Sequence, residues 1–493
     1  MPLPEGDSVF AGWLTIATTA LVLCTLAFGI LVRFRPADSD DRGTGGSPDW
    51  IVLLLPTLLT IQLFREKVAL LALGLLVAWS LVRKPEGHFR VQAGPLSLLF
   101  ASSLIVLTRP TGITTLATFV LLSILVIRLI TTTDARRILT SLIDGCGLFL
   151  LASVATYAIG MRSPAIRLDN LADSSGFVRI IFPLSSSINI PPIIAAIYVT
   201  AFVFLFWEQG GPRRWLRIAC LPAAGAVLIG GGTRPMVAAP VLILIALFLA
   251  PSATRWIAQA ATILAAGSAF LLPTFINSSV FRDLIEFVAS LTPTRTVELS
   301  TVSSFGGREF IWRGALHYWN GWVDSAPTLL LGFGQSGPYK SGAYQAYREE
   351  LSWLVRNPEL ATLHNSALQQ LFDGGILGLL LLFFAIMWAS MRLARRQRDW
   401  GNLGIAAVTT LTILSLSAIT EASLAPGPGQ HTFWLFMVVI GIACQSASDN
   451  NGASDTAGNH PLGQTAHHRF DFATTSPGTR PSPSNALPLP AVR

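Results

Sequence analysis

Charge is what this chain has least of. Only 12% of its 493 residues are Asp, Glu, Lys or Arg, roughly half the share of an ordinary globular protein. So few charges cannot coat the surface of a water-soluble chain this long, which excludes a soluble multidomain enzyme. Lysine is nearly missing, with Lys67, Lys84 and Lys340 the only three. The four cysteines, Cys24, Cys146, Cys220 and Cys444, all lie inside apolar runs, which excludes a disulfide framework and a zinc motif. The opening residues "MPLPEGDSVF" contain acids but no base. The apolar run from Ala11 to Val32 is too long for a signal-peptide core, so it reads as a retained first helix. The net charge of +7 comes mainly from loop arginines that orient helices, and gives no support to nucleic-acid binding.

What is present is hydrocarbon. The chain is 52% hydrophobic with a mean hydropathy of +0.56. Its apolar residues fall into thirteen runs, near 11–32, 50–64, 66–82, 95–107, 113–131, 141–160, 188–207, 216–231, 235–250, 256–275, 365–391, 402–422 and 430–446. Several are shorter than the ~20 residues of a straight span, which predicts tilted or re-entrant segments. The expected fold is all-α: a polytopic helical membrane protein in the lipid bilayer, with about 12–13 transmembrane helices. Residues 1–275 form the N-terminal helices, 276–363 one large extracytoplasmic loop, 364–446 the C-terminal helices and 447–493 a disordered tail, polar and rich in Ser, Pro and Gly.

Alternate connections carry the basic residues: Arg33/Arg35/Arg42, Arg83/Lys84/Arg90, Arg128/Arg136/Arg137, Arg213/Arg214/Arg217, Arg255 and "RLARRQR" at 392–398. The positive-inside rule makes these cytoplasmic; "REK" at 65–67 argues against the pattern. The segment from Asn277 to Leu363 then faces outward. It holds four of the six tyrosines and four of the thirteen tryptophans, and its length predicts short helices lying on the membrane surface.

Three stretches carry candidate chemistry. "GGGTRPM" places Arg234 at a helix start, with Pro235 suited to the first position. There it either strengthens an anion site or snorkels as an interfacial anchor. In "FGGREFIWRGALHYWNGW" Arg308 is followed at helical spacing by Trp312, Leu316 and Trp319. That pattern is an interfacial amphipathic helix, or an arginine fork for phosphate beside aromatics that stack on sugars. In "LHNSALQQLFDGG" His364 precedes a capping box, read with Ser366 as cap and Gln369 reaching back. A ring at the positive end of a helix is disfavoured as a cation, so His364 is either a neutral proton acceptor or a structural hydrogen-bonding group. Asp373 lies half a turn away from His364 and suits a polar contact inside the bundle. Glu421, at the end of the next helix, is the better placed carboxylate. "GFGQSG" at 332–337 and "DSD" at 38–40 imitate nucleotide and metal motifs, but their surroundings make them loop turns and a solvated linker. No metal-ligand spacing occurs, so no metal or cofactor is expected.

Taken in order, "GGTRP", "GGREFIW", "LLGFGQSGPY" and "HNSALQQLFDGGILG" resemble the O-antigen ligase and polysaccharide-polymerase family of membrane glycosyltransferases. The resemblance covers roughly 216–440, and the chain departs from it at Pro235, where the family has a small residue. It implies a GT-C-like enzyme of the bacterial inner membrane, with its active site on the extracytoplasmic face. The implied donor is an undecaprenyl-diphosphate-linked glycan, and the acceptor a hydroxyl of a glycolipid, glycan or protein. Arg234 and Arg308 would hold the diphosphate, with Trp312 and Asn365 as further substrate contacts. His364, backed by Glu421, would take the acceptor proton in an inverting, metal-independent transfer. The alternative is a glycolipid flippase or polysaccharide transporter, whose arginines would escort a head group across the membrane.

Overall fold

The fold was derived from a computed structural model. It describes residues 49–61, 66–83, 89–109, 112–161, 163, 170–172, 178–185, 187–205, 213–249, 254–276, 279, 308–322, 325–352, 357–427 and 430–445. The expected helix at 11–32, the Asp38–Asp40 stretch, Cys24 and the tail at 447–493 lie outside the described residues.

Helices follow one another as the apolar runs require. They are α1 (Trp50–Ile61), α2 (Glu66–Val82), α3 (Gly94–Leu107), α4 (Ile113–Thr132) and α5 (Ala135–Ala158). A short antiparallel hairpin follows, β1 (Asn170–Ala172) with β2 (Val178–Ile180), Leu171 opposite Arg179. Then come α6 (Ile190–Leu205), α7 (Arg213–Gly230), α8 (Arg234–Leu249) and α9 (Thr254–Ile276). The long connection contains α10 (Arg308–Trp322), α11 (Ala326–Leu331), α12 (Gly337–Ser341) and α13 (Arg348–Leu351), the short helices expected there. The chain closes with α14 (Ser366–Trp400), α15 (Asn402–Thr420) and α16 (His431–Cys444).

Among the described residues, four helices are long and apolar enough to cross a membrane: α4, α5, Ser366–Gln397 of α14, and α15. The outer surface agrees with that solvent. On α14, Leu377, Leu380, Phe384, Trp388 and Met391 are exposed, while Leu379, Leu382, Phe383, Ile386 and Leu393 are buried. The exposed set recurs every three or four residues, so it forms one stripe down the helix. Similar apolar surface on α2, α8 and α9 would be an aggregation hazard in water and is ordinary against lipid. By contrast, α16 is buried from Thr432 to Cys444. At 14 residues it is about 21 Å long, short of a ~30 Å hydrocarbon core. Because protein surrounds it, its length need not match the bilayer.

Two polar devices fix the bundle at one end. Gln445, just past α16, donates through Nε2 to the carbonyls of Ile130 and Thr133 at 2.7 and 2.8 Å, and its own carbonyl accepts from Arg396. This satisfies the orphan carbonyls that every helix end leaves. Asp49 caps α1 by accepting from the amides of Ile51 and Val52, and pairs with Arg83 at 2.7 Å. From this end α5 runs across to the opposite one, where α16 begins. Within that crossing the reading of basic connections is corrected at Arg217, which is no loop residue. Arg217 is inside α7 and binds Asp144 of α5 through two hydrogen bonds of 2.7 and 3.0 Å, both side chains buried. Such a bidentate pair offsets the cost of charge among apolar helices.

Helix α14 is interrupted at Gly375, which takes φ 64° and ψ −168°. The break releases the carbonyls of Phe372 and Asp373, and the loop after α11 satisfies them. The amides of Phe333 and Gly334 donate to these oxygens at 2.8 and 2.9 Å. A methyl group on Gly332 or Gly375 would strike the facing backbone, so both positions need glycine. Asp373 completes the joint by accepting from the Gly337 amide at 2.6 Å and from Gln369 Nε2 at 2.9 Å. The "GFGQSG" stretch is therefore a turn that docks onto a broken helix.

Candidate functional site

Three side chains from distant parts of the sequence converge at the end of the bundle where α15 stops and α14 starts. Arg308 is the first residue of α10, His364 sits in the link before α14, and Glu421 follows α15. Glu421 bridges the other two. Its Oε1 accepts from Arg308 Nη2 at 2.5 Å, and its Oε2 lies 3.1 Å from His364 Nδ1. The side chains are 18%, 10% and 26% exposed for Arg308, Glu421 and His364. The cluster is therefore mostly enclosed but open at the histidine.

The carboxylate sits at the negative end of α15, where the helix dipole disfavours an anion. The guanidinium and the imidazole N–H compensate. In the neutral ring, Glu421 accepting from Nδ1–H selects the tautomer whose lone pair is on Nε2. One edge of Arg308 is engaged by Glu421, and a guanidinium has five N–H donors in all. The arrangement thus offers a proton acceptor beside a cationic hydrogen-bond donor.

His364 has φ 49°, a left-handed conformation that non-glycine residues rarely adopt. Its neighbours hold it there. The Leu363 carbonyl accepts from Trp312 Nε1 at 2.8 Å, and the Leu363 amide donates to Gln369 Oε1 at 3.0 Å. Asn365 donates through Nδ2 to Ser268 Oγ and to the Ile419 carbonyl, and accepts from the Leu368 amide at 2.8 Å. Ser366 Oγ donates to the Glu421 carbonyl at 2.7 Å and accepts from the Leu424 amide at 2.9 Å. The turn that carries Glu421 is thus pinned to the helix that follows His364.

These bonds correct the capping assignment by one residue. Asn365, not Ser366, caps α14, and Gln369 reaches back to Leu363 rather than to the cap. Ser366 is left to bind the Glu421 turn. The aromatic face of α10 is also turned the other way from expectation. Trp312 and Trp319 are 1% and 6% exposed, packed on the protein instead of presented to sugar or lipid. Asn365, at 1%, is equally enclosed. Trp312 and Asn365 therefore support the His364 link from inside.

Arg234 opens α8 as expected, and its side chain lies outside the described residues. The start of α8 is at the same end of the bundle as His364, since α5 and α7 both run towards that end. Ser268 and Arg179 contribute to this end without having been singled out by sequence. Neither lies in a motif, and only packing reveals them. In the outer connection burial pushes the Tyr347 phenol up from its ordinary value, with Asp373 adding to the effect. Desolvation lowers Lys340, with Asp373 opposing it. Among the described residues no three His, Cys, Asp or Glu side chains cluster as metal ligands would.

No family model matches this chain, and no curated protein matches it in sequence.

Proposed function

We propose that this protein is a membrane glycosyltransferase of the O-antigen ligase and polymerase type. In this reading it moves a glycan from an undecaprenyl-diphosphate donor to an acceptor hydroxyl on a glycolipid, glycan or protein. The observation that carries the reading is the bridging of Arg308 and His364 by Glu421. His364 Nε2 takes the proton of the acceptor hydroxyl as its oxygen attacks the anomeric carbon. The bond from that carbon to the diphosphate oxygen breaks, the configuration inverts, and the lipid diphosphate leaves with the electron pair. Arg308, with Arg234, stabilises the charge that develops on it. The alternation of basic connections along the chain supports placing this end of the bundle outside a bacterial inner membrane. A transporter would use the same arginines for a head group but has no need of a histidine–carboxylate pair beside them.

The test is transfer by the purified full chain in proteoliposomes carrying an undecaprenyl-diphosphate-linked glycan and a candidate acceptor. Transfer is expected to survive EDTA. Arg308→Ala should nearly abolish it, and Arg308→Lys should leave a small remainder, because lysine supplies charge without the fork. Normal turnover in both Arg308→Ala and His364→Gln, at matched amounts in the membrane, would sink the reading.

A further inference from the structure

The turn that introduces Arg234 is held by a guanidinium from the hairpin. Arg179 of β2 donates through Nε to the Gly231 carbonyl at 3.0 Å. Its Nη2 reaches Asn189 Oδ1 at 3.1 Å and Thr233 Oγ1 at 3.3 Å. Thr233 in turn donates to Asn189 Oδ1 at 3.2 Å. One planar fork thereby ties together β2, the residue before α6, and the link between α7 and α8. A lysine could not make these bonds at once.

The glycines of "GGGTRP" show that hairpin and turn are built as one unit. A methyl group on Gly230 would strike Ile180 of β2, and one on Gly231 would strike Pro192 of α6. Gly232 has φ 60° and turns the chain. The Thr233 carbonyl accepts from the amides of Met236 and Val237 at 2.8 and 3.2 Å, so α8 starts here. The Thr233 hydroxyl is committed to Asn189 and Arg179. The direction in which α8 leaves the turn is therefore fixed by Arg179 and Asn189.

We infer that Arg179 is a positioning residue for Arg234: it fixes the 231–233 turn and so the helix start that delivers Arg234 to the donor diphosphate. Arg179 itself does not touch the donor. The inference rests on the glycosyl-transfer reading for what Arg234 binds, but the positioning itself is measurable without any substrate.

The experiment uses the full chain in nanodiscs, as wild type, Arg179→Gln and Arg179→Lys. Amide hydrogen exchange is followed in peptides covering 228–238 and, as a reference, 360–370. Binding of undecaprenyl diphosphate is measured on the same samples. Arg179→Gln should speed exchange at 231–237, leave 360–370 unchanged and weaken diphosphate binding on the order of 10- to 100-fold, as loss of a supporting shell does. Arg179→Lys should fall between. If the Gln variant is not recovered from membranes, Thr233→Val removes one of the three acceptors at similar size and should show the same pattern more weakly. Unchanged exchange at 231–237 overturns the positioning role. Faster exchange with undiminished binding overturns the link to the donor. Failure of the wild type to bind undecaprenyl diphosphate instead overturns the glycosyl-transfer reading and the diphosphate role with it, whatever the exchange data show.

Discussion

The imidazole of His364 meets the carboxylate of Glu421 through Nδ1 at 3.1 Å, across 57 residues of sequence. In the neutral ring this contact selects Nδ1 as the protonated nitrogen and leaves Nε2 as the acceptor. It also separates the two residues in their expected sensitivity to substitution. His364→Gln removes the acceptor and should cost on the order of 10²–10⁴ in transfer rate. Glu421→Gln keeps an oxygen that can accept from Nδ1–H, so it should lose less than His364→Gln, while Glu421→Ala should approach it. Equal losses in Glu421→Gln and His364→Gln would mean that charge, not orientation, is what Glu421 supplies.

The left-handed backbone at His364 makes stability and activity separable. His364→Ala and His364→Gly both lose the imidazole, but only glycine takes φ 49° without strain. A non-glycine residue in that region costs roughly 1–3 kcal/mol, reduced by the extra chain entropy that glycine loses on folding. Thermal unfolding in detergent should therefore place His364→Gly above His364→Ala, with both inactive. The reverse order would remove the claim that the link is strained.

Trp312 offers a third measurement. If its role is to hold the Leu363 carbonyl, Trp312→Phe should lower the transfer rate roughly tenfold, because a lost supporting bond misplaces His364. A sugar-stacking tryptophan predicts the opposite, since phenylalanine keeps the stacking face. Retained rate in Trp312→Phe together with loss in Trp312→Leu would favour stacking.

Orientation in the membrane can be read by labelling. A cysteine introduced as Gln345→Cys, at an exposed position of the long connection, should react with an impermeant thiol reagent in intact cells. One introduced as Ser454→Cys should not. The reverse result would put the Arg308–Glu421–His364 cluster on the wrong side for a lipid-linked donor delivered outside.

Sequence revealed the helices well, because apolar runs between basic connections leave few alternatives for a backbone that must satisfy itself in lipid. It also pointed to Arg308, His364 and Glu421, each on chemistry and position. It could not show that Glu421 joins the other two, since Arg308 lies 113 residues away from it and nothing local encodes the meeting. Periodicity marked Trp312 and Trp319 as one face but is blind to what a face packs on. Asn365 and Ser366 are both good caps, so composition alone could not choose between them. The break at Gly375 was hidden because paired glycines occur in helices that remain whole, and only the docking of Phe333 and Gly334 shows that this one does not.

That break gives α14 two mechanical parts. Residues 366–374 are buried on every side and bound to the loops around His364, whereas the stem from Ile376 onward presents its apolar stripe to lipid. A continuous helix would carry the direction of the stem straight into the end that follows His364. At Gly375 the backbone leaves the helical path, and Ser102 of α3 spans the step, its Oγ accepting from Gln370 Nε2 at 2.9 Å and donating to the Gly378 carbonyl at 2.8 Å. The interruption is in effect a splice: the lipid-facing stem and the segment that follows His364 meet at a kink that α3 and the 332–337 turn clamp from both sides.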